Sequence, residues 1–403
     1  MKILYIAYSC DPYNGSEDKI GWNVALECSK MGNEVFVITK EEQRKNVEKY
    51  CNDYKLDKIH FFYVDIENVY KRIFDGMLYS GRIQIWNKKV YKLAKRICYE
   101  NHIDIIHQIT PIEFRSIGSY GNIKNTKFVV GPIGGAICIP KQLTYYSYGH
   151  RLIELFRRMV NRFYYYKLLI NKNLKKCDFI YCSNFETKDY LNIKERFDIM
   201  TDLGSDNKNI LCNKKNVNKK LVFIIAGRLI YIKGHKLLFD AVKKFKNYNY
   251  DFELRIIGDG PMKKELFQIV NNDDFLRQYV KFVGKVKYED MVTEYENCDV
   301  FIFTSIRDNT GSVILESMEN GCPVICMNAF GGRLLVNEEN GYLFEGKNKE
   351  EIVNSLFDAM KFFLDNPTEI KQRGKKAFED SKKYCWKNKV KQFNEKYMDI
   401  IEK

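Results

Sequence analysis

Short apolar runs alternate with stretches of helical spacing along the chain. In the first half, Ile3–Ala7, Glu34–Thr39, His60–Val64, Ile103–His107, Lys127–Val130 and Phe179–Ser183 read as strands, with segments such as Ile20–Met31 and Gln84–Glu100 as helices between them. Strands that come singly, each followed by a helix, pair in parallel and carry crossover helices on their faces. A polar stretch rich in Asn and Lys, Asp202–Lys219, interrupts the pattern, carries Gly204 and reads as a linker. The pattern then restarts. Leu221–Ala226, Glu253–Ile257, Val280–Val283, Val300–Thr304 and Pro323–Cys326 are the strands of a second series, and Cys385–Glu402 is a closing helix with one polar side. The prediction is an α/β protein of two Rossmann-like, doubly wound domains facing each other across a cleft lined by strand C-termini, where ligands of such sheets bind. The expected division is 1–205 and 206–385, with the helix 386–403 crossing back to the first domain.

A length of 403 residues suits two domains, and 45% hydrophobic with 29% charged residues excludes a disordered chain. No apolar run approaches the roughly 20 residues that span a bilayer. Met1–Ala7 is short, and Asp11 and Pro12 stand where a cleavage site would lie, so it reads as a buried first strand and a cytoplasmic location is expected. The twelve cysteines are scattered without a CxxC pair, which predicts free thiols, and the five histidines form no metal-ligand pattern. The net charge of +14 favours anionic partners. Its bases are not interleaved with an RNA- or DNA-reading motif, so nucleic acid is not an expected partner.

Two elements of the second half carry chemistry. Ala226-Gly227-Arg228-Leu229 followed by Lys233-Gly234 closes a strand and opens a helix, so that two cations can point past the strand end. There they can meet a diphosphate, whose charge grows as it leaves. The bland alternative is a turn glycine with two solvated bases. In the second element, Asp308-Asn309-Thr310-Gly311-Ser312-Val313-Ile314-Leu315-Glu316, a loop leads into a helix that begins at Gly311–Ser312 and stops at Gly321. Free N–H groups at a helix start attract phosphate. Glu316, about one turn inside, can accept two hydrogen bonds from a ribose diol, and Asp308 can face a sugar's hydroxyls from the loop. An acid answering the helix dipole would explain Asp308 but neither Glu316 nor the glycine.

An acid, seven residues and a Glu, followed by Gly321-Cys322-Pro323-Val324, resembles the signature of retaining glycosyltransferases of family 4, the group 1 glycosyltransferases, which have the GT-B fold. Ile256–Pro261 and Val280–Val286 fall between the two elements in the family's order, and the resemblance is strongest from about 221 to 345. It implies that Arg228 and Lys233 act catalytically by holding the donor diphosphate, with Gly227, Gly258, Thr310, Gly311, Ser312 and Val313 also at the donor. It further implies that Glu316 binds the ribose, Asp308 the donor sugar, and the backbone near Val283 the base. Where the family usually has Glu, this chain has Asp308, one methylene shorter. The activity implied is transfer of a sugar from a nucleoside-diphosphate sugar to a hydroxyl acceptor with retention, without metal or cofactor, in polysaccharide or glycolipid assembly. The partners implied are the nucleotide-sugar donor and a saccharide or lipid-linked saccharide acceptor.

In the first half, Asp11-Pro12-Tyr13-Asn14-Gly15-Ser16-Glu17 follows the first strand and is not GxGxxG, which argues against a dinucleotide cofactor. It is similar to the family's glycine-rich loop at the cleft floor, or is an ordinary turn with a Ser N-cap. His107, at its strand's end, is similar to the family's cleft histidine and is expected to be catalytic or to touch the acceptor. Gly134 and Gly135 follow the next strand and are expected to let ligand approach. In 145–176, Leu152, Phe156, Met159, Val160 and Phe163 fall at helical spacing, with bases between them and Glu154 the single acid. This segment either meets an anionic membrane surface, making the protein peripheral on the inner face of the membrane, or packs on the first domain. Two rival functions stay open: a GT-B relative such as a sugar-nucleotide epimerase, and a non-catalytic nucleotide-sugar-binding protein.

Overall fold

The computed structural model describes residues 1–15, 17–67, 79–206, 220–287 and 289–403. Ser16 and most of the expected linker, 207–219, lie outside the described residues. The chain forms two compact units. Met1–Ala136, Leu152–Gly204 and Trp386–Lys403 make the first, and Ile137–Arg151 with Ser205–Cys385 make the second. Each is an α/β Rossmann-like domain built on a parallel sheet.

The first sheet contains β1 (Lys2–Ala7), β2 (Glu34–Lys40), β3 (Ile59–Val64), β4 (Ile105–Thr110), β5 (Lys127–Ile133), β6 (Phe179–Cys182) and β7 (Phe197–Ile199), in the order β3-β2-β1-β4-β5-β6-β7. Successive side chains of a strand point to opposite faces, and each face here has its own core. Leu4, Ile6, Phe36 and Ile38 pack with Trp86 and Val90 of the helix Tyr79–Asn101. Ile3, Tyr5, Val35 and Val37 pack with Trp22 and with Val390, Phe393 and Tyr397 of the helix Trp386–Ile401. Trp386, Val390, Phe393, Tyr397 and Ile400 recur every three or four residues and form one buried stripe, which is why the C-terminal helix belongs to the first unit.

The second sheet contains β8 (Leu221–Ala226), β9 (Phe252–Ile257), β10 (Val280–Gly284), β11 (Val300–Phe303), β12 (Val324–Met327) and β13 (Gly341–Phe344), in the order β10-β9-β8-β11-β12-β13. Both sheets reverse direction beside their first strand, between β1 and β4 and between β8 and β11. Ligands of open α/β sheets bind in the crevice that such a reversal leaves at the strands' carboxyl ends.

Several expectations change. Residues 137–151 were expected in the first domain but belong to the second unit, because Ile137, Ile139, Leu143 and Tyr146 are buried in its core. The Tyr146 hydroxyl donates to Asp240 at 2.7 Å, and His150 stacks on Tyr231 with ring centres 3.9 Å apart. The strand expected at Ile103–His107 runs instead from Ile105 to Thr110, and β7 and β13 have no counterpart in the sequence reading.

Candidate functional site

The two chemical elements of the second unit follow β8 and β11, the strands on either side of its reversal. Their turns are laced together. The Ile306 N–H donates to the Ile232 carbonyl at 2.8 Å, and the Thr304 hydroxyl donates to the Lys233 carbonyl at 3.0 Å. Gly234 adopts φ +71°, and a Cβ there would lie 2.0 Å from the Thr304 carbonyl oxygen, so only glycine lets the two turns touch. Beyond them, the Lys233 ammonium donates to Asp308 Oδ2 at 2.5 Å, while Asp308 Oδ1 accepts the Gly311 N–H at 3.2 Å. Asp308 is thus tied to Lys233 and to the helix start. In this structure its two oxygens hold the two elements in register.

Arg228 is exposed, and its guanidinium makes no hydrogen bond or ion pair among the described residues. The helix that begins after Gly311 runs Ser312–Glu319. Its first N–H groups, those of Ser312 and Val313, have no partner within the helix. Thr310 beside them is buried. Glu316 lies farther along, half-buried, and Oε2 of its carboxylate accepts the Tyr295 hydroxyl at 3.1 Å. Tyr295 is buried, and burial together with the nearby carboxylate holds its pKa well above the usual phenol range. It therefore stays a donor that orients Glu316. No motif in the sequence marked Tyr295.

The neighbouring strand ends join the same rim. The Gly227 N–H donates to the Ile257 carbonyl at 3.0 Å, the Gly258 N–H to the Gly284 carbonyl at 2.7 Å, and the Leu229 N–H to the Asp259 carbonyl at 2.9 Å. At Gly258, with φ +135°, a Cβ would stand 1.9 Å from the Gly227 carbonyl oxygen. Val283, in β10, is exposed next to Gly284. Gly227, Gly258, Val283, Lys233, Asp308 and the helix start therefore lie at the carboxyl ends of four adjacent strands. Two cations and a helix N-terminus at such a rim can hold a diphosphate, with a carboxylate one turn away for a diol.

In the first unit the loop after β1 is built on Asp11, whose carboxylate accepts the N–H groups of Tyr13 and Asn14 at 2.8 and 3.2 Å and the Asn46 amide at 2.8 Å. Gly15 borders open space. Glu17 Oε1 accepts the Ile112 N–H at 2.9 Å and so joins the loop after β1 to the loop after β4. The carbonyls of Gly134 and Gly135, after β5, are both used: one accepts the Phe114 N–H at 3.0 Å, the other the Arg157 guanidinium at 2.8 Å.

Burial, with the negative charges of Glu113, Asp202 and Asp18 adding to it, raises the Glu17 pKa from its ordinary 4.5 to about 7 against the Ile112 hydrogen bond. The folded chain keeps this proton to a higher pH than the unfolded chain, so stability is lost as pH rises from about 4.5 to about 7. Glu17→Gln keeps the acceptor for Ile112 and removes the titration. At pH 8 it is expected to be more stable than the native chain by about 2 kcal/mol, less than the full shift carries because solvent reaches part of the side chain. Near pH 4 the two should unfold alike. A stability difference that does not change between these pH values in thermal unfolding would contradict this account.

His107 is not at a strand end. It lies inside β4 and is fully buried, between Ile105 and Ile109, which join the same core. Nε2 lies 2.7 Å from the Gly131 carbonyl, which can only accept, so Nε2 carries the proton and Nδ1 accepts the Tyr397 hydroxyl at 2.5 Å. Burial lowers the His107 pKa to about 3, which keeps the ring neutral. The expected catalytic histidine is a core hydrogen-bonding residue that pins the C-terminal helix to the sheet.

Residues 207–379 match the family described as glycosyl transferases group 1. A segment of 174 residues is 28% identical to protein CapJ of Staphylococcus aureus, covering 41% of this chain and 39% of CapJ. Another of 148 residues is 30% identical to the N-acetylgalactosamine-N,N'-diacetylbacillosaminyl-diphospho-undecaprenol 4-alpha-N-acetylgalactosaminyltransferase of Campylobacter jejuni, covering 36% of this chain and 38% of that enzyme. The chain thus spans about two fifths of the length of these relatives. Among solved structures, Anabaena HepE in complex with UDP and glucose superimposes with a TM-score of 0.62 at 16% identity, over 99% of this chain and all of HepE. The fold is that of GT-B glycosyltransferases.

Proposed function

We propose that the protein is a retaining glycosyltransferase of family 4 that moves a sugar from a nucleoside-diphosphate sugar to a hydroxyl acceptor. The observation that carries this is the pairing of Lys233 with Asp308 across the sheet reversal, with Arg228 exposed nearby and the helix start after Gly311. In this reading the donor diphosphate takes the place of Asp308 as the partner of Lys233, Arg228 swings onto it, and the N–H groups of Ser312 and Val313 bind its oxygens. Asp308, released, turns to the hydroxyls of the transferred sugar. Charge on the departing diphosphate is met by side-chain cations and backbone dipoles, so the scheme does not call for a metal ion or cofactor. Glu316, held by Tyr295, takes the ribose diol, and the β10 end near Val283 takes the base. The match of residues 207–379 to group 1 glycosyl transferases supports this assignment.

The acceptor in this proposal is a saccharide or lipid-linked saccharide, as the name of the Campylobacter relative records for that enzyme. The reaction then serves glycolipid or polysaccharide assembly on the inner face of the cytoplasmic membrane, without nucleic acid as a partner. A uridine diphosphate donor has the support of the HepE complex.

Incubating the purified protein with a panel of nucleoside-diphosphate sugars, with and without saccharide and polyprenyl-linked acceptors, tests the reading. Acceptor-dependent release of free nucleoside diphosphate is the expected result, with the anomeric configuration of the product read by NMR. A changed sugar still attached to its nucleotide would replace transferase with epimerase. Tight binding without turnover on any acceptor would favour a binding protein. For the nucleoside contact, Glu316→Ala is expected to raise the donor KM about tenfold with little change in kcat, because the ribose is held alike in ground and transition states. Tyr295→Phe should do the same more weakly. A fall in kcat at constant KM in these variants would move Glu316 from the ribose to the reacting centre.

A further inference from the structure

The helix Arg151–Ile170 is amphipathic, and it is docked the wrong way round for a packing helix. Its buried residues are Glu154, Asn161 and Leu168, which recur every seven residues along one face. On that inward side Arg157 and Asn161 both reach the Gly135 carbonyl, at 2.8 and 3.4 Å. The opposite face carries Leu152, Phe156, Met159, Phe163, Tyr166 and Ile170 and is open, with Leu152, Phe163 and Ile170 exposed by 81%, 63% and 79%. Helices on a water-soluble surface bury the apolar stripe and expose the polar one; here Glu154 and Asn161 share the inward side with Leu168, and the main apolar stripe is outside. Arg157 is not among the outward bases, because its guanidinium is engaged with Gly135 of the first unit.

Charge identifies what lies against this face. Arg158 and Arg162 are exposed along one flank of the apolar stripe, and Lys172 and Lys175 are exposed just past its end. The one acid of the segment 145–176, Glu154, is turned inward. A second copy of the chain packed on the same face would bring like charges together, whereas a bilayer with anionic headgroups answers both the stripe and its basic edge. At about 1.5 Å per residue the helix covers roughly 30 Å of surface. Among the described residues no helix is long and apolar enough to cross a membrane.

We propose that the helix Arg151–Ile170 lies flat on an anionic bilayer, with Leu152, Phe156, Met159, Phe163 and Ile170 in the acyl boundary and Arg158, Arg162, Lys172 and Lys175 on headgroup phosphates. This deepens the reading of a lipid-linked acceptor, because it puts the first unit at the surface where such an acceptor is found. Lipid binding needs no donor, so the two are tested apart.

The test is co-sedimentation of the full chain with vesicles of phosphatidylcholine alone and of phosphatidylcholine mixed with phosphatidylglycerol, at low and high salt. The native chain is expected to bind the anionic vesicles and to be released by salt. Arg158→Glu/Arg162→Glu should lower partitioning by at least about thirtyfold. Met159→Glu/Phe163→Glu should abolish it, while both variants keep the native Tm and the native thermal shift with nucleoside diphosphates. Phe163→Trp, which keeps the stripe, should bind and shift its emission to the blue. The proposal is overturned if the native chain ignores anionic vesicles at low salt, if it binds neutral vesicles equally, or if the glutamate variants bind like the native chain. Dimers that dissociate in Met159→Glu/Phe163→Glu without lipid binding would overturn it in favour of a second copy. Loss of nucleoside-diphosphate binding in the native chain would count against the transferase reading and leave lipid binding standing.

Discussion

Replacing both Arg228 and Lys233 by alanine is expected to lower kcat by a factor of about a hundred to a thousand on the donor that the native chain accepts best. The leaving diphosphate gains charge in the transition state, and these are the cations that follow β8 at the sheet reversal. Interactions that strengthen as charge develops appear in kcat rather than in KM. The single variants should not be equal. Arg228→Ala removes one exposed charge. Lys233→Ala removes a charge and also strips Asp308 of its partner, leaving a carboxylate beside the phosphates. Lys233→Ala is therefore expected to be the worse of the two, and adding Asp308→Asn to it should recover part of the loss. Kinetics on variants with native thermal stability check this order. Near-normal kcat and KM in the double alanine variant would remove the core of the proposed mechanism.

His107→Ala is expected to act on stability and not on chemistry. It leaves a cavity in a packed core and removes the hydrogen bonds to the Gly131 carbonyl and the Tyr397 hydroxyl, the latter keeping only a 3.4 Å contact with the Tyr5 hydroxyl. Together these cost about 3–5 kcal/mol, which lowers the Tm of the first unit on the order of 10 °C. The rate per folded molecule should stay native at a temperature where the variant is folded. The pH dependence follows from the lowered pKa. The unfolded chain takes up a proton at His107 near pH 6.5 and the folded chain only near pH 3, so the native chain loses this stability as pH falls from 6.5 towards 3. The variant should lack that loss. A His107→Ala protein with native Tm and a collapsed kcat would restore the histidine to the reacting centre.

Much of the scaffold is legible in the amino-acid sequence. A buried parallel strand is a short apolar run, and β8 was read residue for residue because Leu221–Ala226 is such a run bounded by polar residues and a glycine. The closing helix was equally legible from the repeat of Trp386, Val390, Phe393 and Tyr397. The elements after β8 and β11 were legible as chemistry because glycines, cations and acids cluster there and serve no apolar core.

Position across the fold was not legible, because it depends on partners distant in sequence. Nothing near His107 reports that Tyr397, 290 residues on, closes over it and makes a strand residue part of the core. Residues 137–151 carry no local mark of the unit they join; the burial of Leu143 and Tyr146 in the second core decides it. Asp308 read alone is an acid that can face a sugar from its loop, and only the contact between two turns makes it the partner of Lys233. The helix Arg151–Ile170 is the clearest case. Its sequence determined that one face is apolar and the other polar. Which face looks outward was decided by the tertiary structure, where the Gly135 carbonyl sits ready to accept from Arg157 and Asn161 and so draws the polar face in.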